Sequence, residues 1–178
     1  MVFRFGEAVL EVTTPHVRTS RAVLQADRVV VCTNTELHGL FAERLAPHAL
    51  RLCQLQMLRV MPEPGFRLPG SVMADLSLVR YHGYSQLPEA APLLEQIQRE
   101  EGESLAHGIH LIVVQSADGS LVVGDSHHYG AAPEPFASEH VDTLILRHLR
   151  ETLRLREATV TARWVGTCLL YTSDAADE

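Results

Sequence analysis

The sequence predicts an α+β fold built on a mixed, largely antiparallel sheet with flanking helices, and three observations predict it. Short segments that alternate apolar and polar residues recur between turn residues, the period of a half-buried strand. An Asp-Gly pair stands between two β-branched runs, which is the composition of a tight hairpin. Two stretches with apolar residues at helical spacing fall between groups of strands, without the strict strand–helix alternation of a parallel sheet.

In chain order, residues 2–5, 9–12 and 17–19 alternate around Gly6, Pro15 and His16 and read as short strands of a meander. A strand pattern that starts at once, without a polar lead-in, predicts that Met1 is an internal methionine or a mispredicted start. Val29, Val30 and Val31 predict a buried strand over 26–32, followed by a turn at Thr33-Asn34-Thr35-Glu36 and a short helix over 37–45. Leu52, Leu55, Met57, Leu58 and Val60 suit a strand over 51–61 that Pro62-Glu63-Pro64-Gly65 ends, and a further strand is expected at 76–84. Pro92 opens a helix carrying Leu93, Leu94 and Ile97 that closes near Gly102. Residues 109–115 and 120–125 form the hairpin around Ser116-Ala117-Asp118-Gly119. Ser138 is an N-cap with Glu139 and Asp142 in the first turn, and Val141, Leu144, Ile145 and Leu149 line one face of a helix to about residue 155. A strand over 159–164 returns, with Trp164 expected in the core.

The chain has 178 residues, 46% hydrophobic and 21% charged, enough apolar material for a core. All 15 basic residues are arginine, the net charge is -7, and no arginine cluster stands clear of nearby acids, which argues against a nucleic-acid partner. Cys32, Cys53 and Cys168 are odd in number and form no CxxC pair, so a disulfide framework and a zinc-thiolate cluster are not expected and a reducing, cytoplasmic setting is. No apolar run approaches a membrane span, and no signal peptide is evident. The sequence specifies no oligomeric state. The last eleven residues, 168–178, match the in-frame translation of a transposon-end sequencing adapter and are expected to be a non-native tail.

Four segments carry a family resemblance. Ala26-Asp27-Arg28-Val29-Val30-Val31-Cys32-Thr33-Asn34 is similar to the A-D-x-V-V-V-A-x-G segment of the D-amino-acid oxidase and glycine oxidase family, with Asn34 where glycine is usual. Leu52-Cys53-Gln54-Leu55-Gln56-Met57-Leu58-Arg59 resembles the strand in which that family reads R/K-x-x-Q-M-L. Gly124-Asp125-Ser126-His127-His128-Tyr129-Gly130 resembles its G-D-S-H-x-Y-G segment, with His128 where glutamate is usual. With Arg163-Trp164-Val165-Gly166, these resemble the branch associated with aminophosphonate metabolism, in order over residues 2–167.

The resemblance implies a fragment of a FAD-dependent oxidoreductase acting on a small-molecule amine, with residues 1–36 as strands linking the substrate and FAD-binding domains and 37–167 as the substrate-binding domain. It implies cofactor contacts at Thr33, Asn34 and Gln56, although Gln56 can equally serve its strand structurally. The GxGxxG turn that would hold the FAD pyrophosphate is not in this chain, where no two glycines are closer than five positions. Such oxidation moves a hydride to the flavin, so the protein must orient and recognise the substrate rather than attack it, and no catalytic nucleophile or base is assigned.

A guanidinium fork suits a carboxylate or phosphonate, which makes Arg59 and Arg80 candidates; for each, the alternative is a surface arginine. His127 and Tyr129 are candidates for binding substrate or lining the flavin face, against a turn hydrogen-bonder and a packing residue. Ser126 lacks the GxSxG context of a hydrolase nucleophile. Two other classes stay open: a non-catalytic binding domain, and a metal protein using His107-x-x-His110 with Asp125-x-His127-His128. In the second, adjacent histidines on a strand face opposite ways, so His127 and His128 would not share one ion.

Overall fold

The computed structural model describes residues 2–48, 50–130 and 134–170. Its antiparallel sheets and helices make an α+β fold, as the sequence predicts. The chain divides into two compact units, Met1–Leu50 and Arg51–Glu178.

The first unit is a meander of β1 (Val9–Thr13), β2 (His16–Thr19) and β3 (Val23–Gln25), followed by the one-turn helix α1 (Ala42–Leu45). Residues 2–5 alternate as expected but take no strand. The expected strand at 26–32 likewise forms no ladder, and Val30 is 85% exposed. A β-branched run becomes a strand only where another edge supplies its hydrogen bonds, and among the described residues none does. The expected nine-residue helix shrinks to α1, which begins after Phe41 at φ 63.

The second unit is organised by β4 (Arg51–Pro62). One edge of β4 pairs along its whole length with β9 (Ala158–Leu170). The other edge pairs with β7 (Leu121–Gly124) and, further along, with β8 (His128–Gly130). Beyond β7 lie β6 (Ile112–Gln115) and the short β5 (Val72–Met73), all antiparallel. β6 and β7 are the predicted hairpin, and Gly119 at φ +86 supplies the left-handed turn position that a side chain resists.

Over residues 76–84 the strand expectation fails. A 3-10 turn (Asp75–Val79) and a single helical turn, α2 (His82–Ser85), stand there instead. Leu76 and Val79 are three apart, so a helical turn puts both on the core side, Leu76 buried and Val79 packed against it, and the Ser77 hydroxyl donates to the His110 carbonyl at 2.8 Å to hold that turn down. α3 (Ala90–Glu100) starts two residues before Pro92, and α4 (Gly102–Ala106) follows it.

α5 (Glu139–Thr152) is capped as predicted, the Ser138 hydroxyl accepting from Val141 N. Its Val141, Leu144, Ile145 and Leu149 join Leu58, Val60, Val113, Leu121 and Val123 of the sheet in one core, each such side chain contributing about 1.5–3 kcal/mol by leaving water. β9 extends past both ends of the predicted strand, and its last three residues, 168–170, pair with β4; residues 171–178 of the expected tail lie outside the described residues. Trp164 is 38% exposed rather than core, because its strand position turns away from the face that the helices cover.

Candidate functional site

The site grows from an interruption in the β4 ladder. β7 pairs with β4 up to Gly124↔Met57 and β8 resumes at His128↔Gln54, so Asp125, Ser126 and His127 stand against only Leu55 and Gln56. One residue too many must leave the ladder, and the strand bulges. The buried Ser126 hydroxyl accepts from Gln56 N at 3.2 Å, satisfying an amide that the bulge would leave orphaned. Asp125 and His127 flank Ser126 on the bulge.

A loop from the start of the hairpin is drawn onto this bulge. His127 N donates to the His107 carbonyl at 2.9 Å, and His127 Nδ1 lies 3.0 Å from the Gly108 carbonyl. Gly108, at φ +62, permits this approach, since a Cβ there would sit 2.8 Å from His127 Cβ. Successive side chains diverge along 127–128. His127 turns to His110 (Nδ1 to Nε2, 3.1 Å, rings stacked at 4.5 Å), and His128 turns to His107 (Nε2 to Nδ1, 3.1 Å).

Arg80, set by the 3-10 turn that Ser77 ties to His110, completes the cluster. Its Nη2 donates to the Tyr129 hydroxyl at 3.1 Å, and the Arg51 guanidinium lies 6.0 Å from the centre of the same ring. Tyr81 packs edge-on against His110 at 5.7 Å. A cavity of about 130 Å³ lined in part by Arg80, Gly108 and His110 opens beside them.

Burial sets the electrostatics. It pushes His110 down to about 3, with the charges of His127 and Arg80 acting the same way. It pushes Asp125 up to about 6 against the opposing pull of Arg80. Burial and then His107 lower His128. The Cys53 thiol, beneath Tyr129 in the ladder, is pushed up to about 11 by burial and is no nucleophile at neutral pH.

Three of the four substrate-binding candidates, Arg80, His127 and Tyr129, come together here. Arg59 does not join them: it makes an exposed ion pair with Asp118 at 3.2 Å in the hairpin turn. The cofactor candidates fall in both units. Thr33 lines a cavity of about 590 Å³ in the first unit with Phe41 and Arg44, and Asn34 takes φ 51, in the left-handed region that favours glycine. Gln56 is buried in the second unit, its Oε1 accepting from Ser138 N at 2.7 Å and its Nε2 donating to the Ser138 carbonyl at 2.9 Å and Asp142 Oδ1 at 2.7 Å. That clasps the start of α5 to β4.

Arg51 was not legible beforehand, because its relation to Tyr129 is a diagonal across two strands whose register the sequence does not encode. His110 and Asp125 were visible only as members of loosely spaced histidine and aspartate groups. Compared with known proteins, the chain matches no family model and no curated protein, so the reading of this site rests on its own geometry and on the resemblance of its segments.

Proposed function

We propose that this chain carries the substrate-binding side of a FAD-dependent oxidoreductase that oxidises the C–N bond of an amino acid or related amine, aminophosphonates included. The observation that supports it most is the meeting of Arg80 and Arg51 at Tyr129, in the strand that follows the bulge: two guanidinium groups on one phenol are suited to a carboxylate or phosphonate. Hydride chemistry asks a protein to fix and orient its substrate and to exclude water, and a half-buried polar cluster without an activated nucleophile suits that demand.

FAD belongs to this reading as hydride acceptor, but the residues of this chain do not fit its pyrophosphate. The glycine-rich turn is absent from the sequence, and the helix nearest Thr33, α1, has four residues, too short to present a helix-terminal phosphate site. The chain's contribution is confined to the substrate: Arg80 and Arg51 hold its anionic group, with Tyr129 between the two cations.

The complete reading frame, expressed and purified, tests the proposal. It should show flavin absorption that bleaches when an amino acid or aminoalkylphosphonate is added without oxygen. A complete product with no flavin, or with flavin that no such amine reduces, would contradict it.

A further inference from the structure

His110, Asp125 and His127 each offer one ligand atom, and those atoms all lie within 4.8 Å of one another. His110 Nε2 is 3.7 Å from Asp125 Oδ1, and His127 Nε2 is 3.8 Å from Asp125 Oδ2. These distances are too long for hydrogen bonds. They are close to the spacing of about 3.4 Å between ligand atoms around a tetrahedral ion with bonds of about 2.1 Å.

The hydrogen positions point the same way. The Gly108 carbonyl can only accept, so its 3.0 Å contact with His127 Nδ1 puts the ring proton there and makes Nε2 the electron-pair donor, on the side of Asp125. An imidazole whose other nitrogen donates to a backbone carbonyl is the usual orientation of a metal-bound histidine. Asp125 Oδ1 is buried and accepts no hydrogen bond among the described residues. Three donor atoms therefore come within 4.8 Å of one another in a largely buried site, where a cation would satisfy Asp125 Oδ1 and take the lone pair that His110 Nε2 otherwise turns to His127 Nδ1 at 3.1 Å.

We propose that His110 Nε2, His127 Nε2 and the Asp125 carboxylate form a binding site for one divalent first-row transition-metal ion, with its remaining positions open to water or substrate. Two imidazoles and one carboxylate are a donor set for zinc and ferrous iron rather than for calcium or magnesium. The charge of Arg80 works against a cation here, and the Asp125 carboxylate and the two imidazoles must outweigh it. The inference is independent of the flavin reading, since nothing in it requires FAD.

Metal-stripped protein titrated with Zn²⁺ tests the site. One equivalent per chain is expected, with Asp125→Asn and His127→Gln each weakening it at least about tenfold and His107→Gln, in the neighbouring pair, leaving it unchanged. Absence of stoichiometric zinc, or binding that only His107→Gln weakens, would overturn the proposal. Co²⁺ bound to the unaltered protein gives a second readout that does not depend on any variant folding. Visible d–d bands without thiolate charge transfer support the His/Asp site; no such bands, or charge transfer from Cys53, overturn it.

Discussion

At the scale of the residue, Gly108 decides whether the site exists, because it alone lets the 107–110 loop reach the bulge. Alanine there would have to hold φ +62, at about 1–2 kcal/mol, and push its Cβ against His127, at about 1–3 kcal/mol more. Gly108→Ala should therefore lower unfolding stability by about 3 kcal/mol in a urea titration. A loss under about 0.5 kcal/mol would show that the loop is not pressed against His127. Of these residues, Arg80, His127 and Tyr129 were legible from the sequence as chemistry-bearing types in suggestive segments. Arg59 was equally legible and pairs instead with Asp118, because an arginine's type does not say which neighbour the fold provides. Trp164 was misread as core for a related reason: alternation identifies a strand but not which of its faces the helices cover.

At the scale of the element, the clasp between β4 and α5 carries the second unit. Gln56 satisfies both main-chain groups of Ser138 and one oxygen of Asp142 with a single buried amide, leaving its own donors and acceptor engaged. Gln56→Ala strips partners from the buried Asp142 carboxylate and from two part-buried main-chain groups of Ser138 and should cost about 2 kcal/mol of stability, read by chemical denaturation. A change within error would mean that water replaces the amide without loss. Elements whose signals are local were readable: the hairpin from its Asp-Gly turn, α5 from Ser138 and its apolar face, β4 from its alternation. The misread elements depend on partners distant in sequence. The valines of 26–32 find no second edge among the described residues, and the 76–84 segment coils because Ser77 meets the His110 carbonyl 33 positions on. The bulge is of this kind too, since its one-residue mismatch exists only once β7 and β8 share an edge of β4.

At the scale of the whole molecule, the α+β class was legible from the order of strands and helices, whereas the division at residues 50 and 51 carried no compositional mark. No helix among the described residues is long and apolar enough to cross a membrane. The proposed recognition of an anionic amine rests on Arg80 and Arg51, which meet at Tyr129. The most direct measurement is calorimetric titration of the chain with an aminoalkylphosphonate and with a neutral amine of similar size, on the unaltered protein and on Arg80→Gln and Arg51→Gln. Loss of one charge-assisted fork, about 1.5–3 kcal/mol, predicts roughly 10- to 150-fold weaker binding of the anionic amine by each variant and little binding of the neutral one by any. Equal affinity for both amines, or undiminished phosphonate binding in both variants, would contradict the claim.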